Sequence, residues 1–169
     1  MRSEAVSRVI SAYDDRIVRG YCWGRFRVLR QRFLDEIGQY LPSRGRVLDI
    51  GCGFGLFSLY YASVAPGLEL RGLDLNPGRI AMARRAAARL GLGNVLYEVQ
   101  DARDYRSDGN YDAAYMLDIV HHVEEESVRP FLEQLAKSLR SGGRLIIKDV
   151  DTRPVYKRWF THALDRLMD

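Results

Sequence analysis

Arg46-Val47-Leu48-Asp49-Ile50-Gly51-Cys52-Gly53-Phe54-Gly55 decides the architecture. Arg46 to Ile50 is a short apolar run of the kind that forms a buried strand, and it ends in a glycine cluster. Glycines are needed where the backbone turns sharply and where a ligand approaches the main chain closely. The spacing is G-x-G-x-G. The related G-x-G-x-x-G fingerprint of dinucleotide sites would need glycine at position 56, which is Leu56, so a nicotinamide-dependent oxidoreductase is disfavoured. Leu56 to Ala65 follows as a buried helix, and the three parts form a strand, a glycine loop and a helix.

Downstream the pattern repeats. Leu68 to Asp74 alternates and predicts a second strand, and Asn76 then caps a helix that has Pro77 at its first position. That Ala-rich helix runs to Leu90 and stops at Gly91. Val95–Val99 and Tyr111–Leu117 predict strands three and four. Glu124, Glu125 and Glu126 open a helix, where acids favour the positive end of the dipole. It is expected to end near Arg140, at Ser141-Gly142-Gly143, with a fifth strand from Arg144 to Val150. A last helix is expected from Pro154, with Val155, Trp159, Ala163 and Leu167 four apart. Such alternation predicts an α/β fold, a doubly wound, mostly parallel sheet in three αβα layers. Ligands of such sheets bind beyond the carboxyl ends of the strands, at the topological switch point.

Upstream, residues 3–13 and 24–41 read as helices. Phe26, Leu29, Phe33, Leu34, Ile37 and Leu41 form an apolar stripe on the second, closed by Pro42 and Gly45. The expected organisation is a helical cap over residues 1–42 and a core over 43–169.

Charge and composition bound the function. The net charge is +4 in 169 residues, and 47% of them are hydrophobic, ordinary for a globular domain. The basic residues are 23 Arg and 3 Lys, and ten of the Arg lie in residues 1–46 beside five acids. This balance admits an anionic partner, either nucleic acid or a lipid headgroup surface, and equally a solvated helix face. No basic run interleaved with aromatics points clearly to RNA. Cys22 and Cys52 are 30 residues apart and form no ligand pair. With no signal peptide at Met1-Arg2-Ser3-Glu4, the expected compartment is the cytoplasm. Ile50 to Leu68 lacks charge over 19 residues, but its glycines and Pro66 make it a strand end, loop and helix rather than a membrane span.

The residues just after each strand carry the site. Asp74 ends the second strand, 19 residues past Gly55, where a carboxylate accepts hydrogen bonds from both hydroxyls of a ribose. Gln100-Asp101-Ala102 follows the third, with an acid able to accept from an exocyclic adenine amine and a backbone amide beside it.

Val47 to Gly55 resembles motif I of the class I, Rossmann-like methyltransferases, and Leu73-Asp74-Leu75-Asn76-Pro77 resembles their acidic-loop motif. Gln100-Asp101-Ala102, Tyr111 to Asp118 and Leu139 to Ile147 resemble the later motifs in order and spacing, so the likeness covers about residues 40–150. The resemblance implies S-adenosyl-L-methionine as cofactor, with S-adenosyl-L-homocysteine as product. It implies that Asp49 and the loop of Gly51, Cys52, Gly53 and Gly55 hold the methionine end and that Asp74 holds the ribose. Leu75 then packs on the adenine, Asp101 and Ala102 read its edge, and Met116 and Leu117 give backbone contacts beside the methyl group. Tyr13 and Tyr21 belong to a segment that covers this pocket in relatives.

The implied reaction is in-line attack by an acceptor on the sulfonium methyl, which asks for alignment and exclusion of water. A base is needed only for a protonated nucleophile, and Asp118, His121 and His122 are the candidates. No third ligand joins the adjacent histidines, so no metal site is expected. Asp118-Ile119-Val120-His121-His122 resembles the small-molecule branch of the family, which points to a small-molecule or lipid-like acceptor; the Arg-rich N-terminus leaves a tRNA or rRNA substrate as the lesser alternative. The family's usual sheet has seven strands, and no sixth or seventh is legible before Asp169. Strand five is then an apolar edge, open to a second copy, a partner chain or a further segment. In the alternative reading, the chain binds cofactor but needs such a completion for activity.

Overall fold

The computed structural model describes residues 2–106, 110–117 and 125–148. Three helices, α1 (Arg2–Ser11), α2 (Arg16–Val28) and α3 (Arg30–Gly38), precede the alternating unit. That unit is β1 (Gly45–Ile50), α4 (Leu56–Val64), β2 (Leu68–Asp74), α5 (Pro77–Leu90), β3 (Val95–Val99), β4 (Tyr111–Leu117), α6 (Glu125–Ala136) and β5 (Leu139–Lys148).

The sheet order is β3-β2-β1-β4-β5, with every pairing parallel. The chain winds outward from β1 to β3, then crosses back to β4 on the other side of β1. The reversal therefore lies between β1 and β4, and the crevice it opens is the binding position of such sheets.

Alternation along β1 and β4 divides the core into two layers. Val47, Ala113, Tyr115 and Leu117 join one apolar cluster with residues of α1 to α5, including Val9, Phe26, Leu59 and Ile80. Leu48, Ile50, Ala114 and Met116 face the other way, against Phe131 and Leu135 of α6. Helices on both faces of a parallel sheet make the expected three-layer, Rossmann-like fold.

Two regions differ from the sequence reading. The helix expected over 24–41 is two helices, and the first begins at Arg16. Asp15 caps it, its Oδ1 accepting from the amides of Ile17 at 2.7 Å and Val18 at 3.2 Å. Leu29 leaves helical geometry, at φ −85° and ψ 22°, and separates α2 from α3. Gly45 does not close a helix; it begins β1, and a Cβ there would meet the Asp112 carboxylate, which accepts from the Arg46 amide at 2.7 Å.

The second difference is at β5. α6 ends at Ala136, and the strand starts at Leu139, five residues before the expected Arg144. Leu139 pairs with Tyr111 and Arg144 with Ala113, so Ser141-Gly142-Gly143 is a bulge inside a strand rather than a break before one. Residues 118–124 and 149–169 lie outside the described residues. The helix expected from Pro154 and the stretch in which a sixth or seventh strand was sought fall there.

Candidate functional site

The glycine loop springs from the end of β1 and is held in place by its neighbours. The Cys52 amide donates to the Leu73 carbonyl of β2 at 3.0 Å, and the Gly55 amide to the Cys52 carbonyl at 2.8 Å. Gly53 and Gly55 have φ of 54° and 76°, in the left-handed region that side chains disfavour. The two differ in what lies around them. A Cβ on Gly55 would come within 2.5 Å of the Tyr97 hydroxyl, so that glycine is required by packing. A Cβ on Gly53 would meet nothing within 4 Å, so its bare backbone faces open space at the mouth of the crevice.

Asp74 ends β2 and locks to this loop. Its Oδ2 accepts from the Gly53 amide at 2.8 Å and its Oδ1 from the Asn76 amide at 2.8 Å. A carboxylate offers about four acceptor positions, so two remain, enough for a vicinal diol. Asn76 caps α5 through the Arg79 amide at 3.1 Å, and Leu75 between them is 64% exposed. Loop, carboxylate and an exposed apolar side chain thus stand together.

Asp49 lies beneath the loop, 3% exposed. Its Oδ2 and the Tyr115 hydroxyl of β4 are both buried without a hydrogen-bond partner among the described residues. Burial pushes the Asp49 carboxyl up to about 7; nearby Ser58 and Tyr115 pull it down, and Asp74 adds a smaller upward push. Tyr97 fills the space below Gly55, with its hydroxyl 3.0 Å from Ser58 Oγ and donating to the Gly55 carbonyl at 3.3 Å. The ring fits because its partner across β2 and β3 is Gly72, where a Cβ would come within 2.6 Å of it. Sequence reading missed Ser58, Tyr97 and Tyr115; the only signal was a tyrosine in the apolar alternation of each strand.

The remaining positions are at the strand ends as expected. Asp101 and Ala102 follow β3, and Met116 and Leu117 end β4 in the buried layer beside β1. Asp101 is already engaged: Arg103 donates its amide to Oδ1 at 2.8 Å and its Nε to both oxygens at 3.0 Å. Arg103 holds the Asp101 carboxyl below its usual range. Tyr13 and Tyr21 bear on the loop from the N-terminal side. The Tyr13 hydroxyl donates to the Phe54 carbonyl at 2.8 Å, and the Tyr21 ring lies edge-on to Phe54 with centroids 5.6 Å apart. Asp14 pairs with Arg85 and Arg89 of α5 and ties this segment down. Asp118, His121 and His122 lie outside the described residues. Among the described residues no cluster of His, Cys, Asp or Glu could hold a metal, and no helix is long and apolar enough to cross a membrane.

Residues 47–143, more than half of the chain, match the family model described as a methyltransferase domain. Over 115 residues the chain is 30% identical to the ubiquinone biosynthesis O-methyltransferase of Xanthomonas axonopodis pv. citri, covering 67% of this chain and 46% of that one. The crystal structure of the PH0226 protein from Pyrococcus horikoshii superposes with a TM-score of 0.68 at 28% identity, covering 80% of this chain and 61% of the other. The structure of PKMT2 from Rickettsia typhi in complex with AdoHcy superposes with a TM-score of 0.57 at 27% identity, covering 65% of this chain and 22% of the other. The chain spans about half the length of the O-methyltransferases it matches. A glycine loop on β1, a carboxylate on β2 and the sheet order agree with the family match: this chain belongs to the class I, Rossmann-like S-adenosylmethionine-dependent methyltransferases.

Proposed function

We propose that this chain binds S-adenosyl-L-methionine in the crevice beyond β1, β2 and β4 and serves methyl transfer to an oxygen of a small-molecule or lipid-like acceptor. The observation that carries the reading is the pairing of Gly53, open to a ligand, with Asp74, whose carboxylate fixes the Gly53 amide and keeps two acceptor positions free. The O-methyltransferase relative supports oxygen as the acceptor atom.

The residues fit the cofactor. Asp74 takes the ribose hydroxyls, Leu75 covers the adenine, and Asp101 with Ala102 reads its edge once Asp101 shares its oxygens with Arg103. The loop of Gly51, Cys52, Gly53 and Gly55 takes the methionine end, Asp49 beneath it supplies the counter-charge for the ammonium, and Met116 and Leu117 line the position of the methyl. Bound there, the cofactor supplies an electrophilic sulfonium methyl group. The chain's own part is then to align the acceptor and exclude water. Residues 1–42 act as a cap, with Tyr13 and Tyr21 closing the loop's flank. Asp118, His121 and His122 are the proposed groups for taking the acceptor's proton. The outer edge of β5 is the proposed place for a further strand.

Calorimetric titration with S-adenosyl-L-homocysteine, with NAD as control, tests this. One-to-one micromolar binding of the homocysteine compound alone is expected, and binding of NAD instead would overturn the assignment. Asp74→Ala is expected to weaken that binding by about 1–3 kcal/mol, the range for lost charge-assisted hydrogen bonds. Unchanged affinity would remove Asp74 from the ribose role.

A further inference from the structure

We propose that the outer face of α2 is a docking surface for an anionic lipid bilayer. At about 100° per residue, Arg16, Gly20, Trp23 and Arg27 fall on one line along this helix, with Arg19 adjacent. All five are exposed, and Trp23 is 61% exposed. The opposite side is spent on the core: Val18, Cys22 and Phe26 are buried in it. The outer face is therefore unpartnered among the described residues, and its composition is unusual for a solvated one. Ile17 and Val28, both about 100° round the helix from this line, are 63% and 45% exposed.

Charge complementarity selects the partner. Residues 16–34 hold six arginines and no acid. The guanidinium groups of Arg16, Arg19 and Arg27 enter no ion pair among the described residues. Cations bracketing a tryptophan fit the bilayer interface, where an indole sits at headgroup depth and arginines reach the phosphates. Each such cation adds attraction to an anionic leaflet. Single-stranded RNA would be met by arginine and tryptophan too, but by stacking on flat rings. Ile17 and Val28, exposed on the adjoining side of the helix, offer no such platform, and exposed aliphatic side chains gain by partitioning into the acyl boundary. Tyr21, on the inner flank of the same helix, touches Phe54 of the glycine loop. A bilayer held on the outer face would lie about one helix diameter, roughly 10 Å, from that loop.

The test is co-sedimentation of the full chain with vesicles of phosphatidylcholine alone and of phosphatidylcholine mixed with phosphatidylglycerol. Binding to the mixed vesicles and not to the neutral ones is expected. The Arg19→Ala/Arg27→Ala double variant should bind at least about tenfold more weakly, while Arg19→Lys/Arg27→Lys, which keeps both charges, should recover most of the affinity. Trp23→Ala should lower binding several-fold, and Lys137→Glu, in the exposed turn after α6, should leave it unchanged. These side chains are exposed, and unchanged circular dichroism would show the fold intact. Equal binding to both vesicle types, or no loss in the arginine and tryptophan variants, would overturn the proposal. So would displacement of the vesicles by tRNA bound through the same residues, which would assign the face to RNA.

Discussion

Gly53 and Gly55 share a left-handed backbone and differ in surroundings, and the difference separates binding from folding. Gly53→Ala meets no atom, so it should cost only about 1 kcal/mol of stability through its backbone angle. It should nevertheless lower affinity for S-adenosyl-L-homocysteine tenfold or more, because the new methyl stands where the ligand must approach. Gly55→Ala adds a collision with buried Tyr97, and overpacking of about 1–3 kcal/mol joins the backbone cost. Urea denaturation of the two variants should rank Gly53→Ala well above Gly55→Ala, and equal midpoints would contradict this division. Asp49 contributes a pH dependence. Its carboxyl is raised from the ordinary 3.8 to about 7, so between those values the folded state holds a proton that the unfolded state has released. Stability from this group is therefore greatest below about pH 4 and falls by up to about 1.4 kcal/mol per pH unit until about pH 7, where it levels off. Asp49→Asn should remove this decline, measured as urea midpoints at about pH 5 and about pH 8. A decline that persists in the variant would point to another group. An ammonium placed near Asp49 by the cofactor would favour the anion, so affinity should rise with pH through 7.

Among the elements, β2 and β3 show how a strand makes room for a loop. Gly72 is the register partner of Tyr97, and only its missing side chain admits the ring that supports Gly55. A Cβ at 72 would also come within 2.8 Å of Cys52 Sγ. Gly72→Ala should cost about 1–3 kcal/mol of unfolding free energy, as overpacking does, and should weaken cofactor binding through the displaced loop. Loss of stability with unchanged affinity would show that Tyr97 supports the fold alone. α5 was legible to the residue, Pro77 to Leu90, because Asn76, Pro77 and Gly91 mark its ends by local chemistry. β5 was not, because Ser141-Gly142-Gly143 carries the local mark of a break while the pairing of Leu139 with Tyr111 begins the strand earlier. The start of α2 at Asp15 carried a local signal, an N-cap acid, that the apolar stripe further along outweighed.

Across the whole molecule, order should follow position in the sheet. β1 and β4 are hydrogen-bonded on both sides and buried in both layers, whereas β3 and β5 form its edges among the described residues, and Ile147 of β5 is 43% exposed. Amide hydrogen exchange should be slowest in β1 and β4 and faster in β3 and β5, since local opening needs less where one ladder is missing. Protection of β5 equal to that of β1 would show its outer edge covered in solution. By itself the sequence determined the α/β alternation, the parallel sheet and the positions of Gly53, Asp74 and Asp101 at the strand ends, because glycine turns, caps and apolar periods are local physics. The tertiary structure alone decided that Asp49 is buried with an oxygen left without a partner among the described residues, that Tyr97 fills the space of Gly72, and that β5 begins before the Ser141-Gly142-Gly143 bulge rather than after it. Each of these depends on what a distant segment brings into contact, and burial and register between remote residues leave no period in a chain read one window at a time.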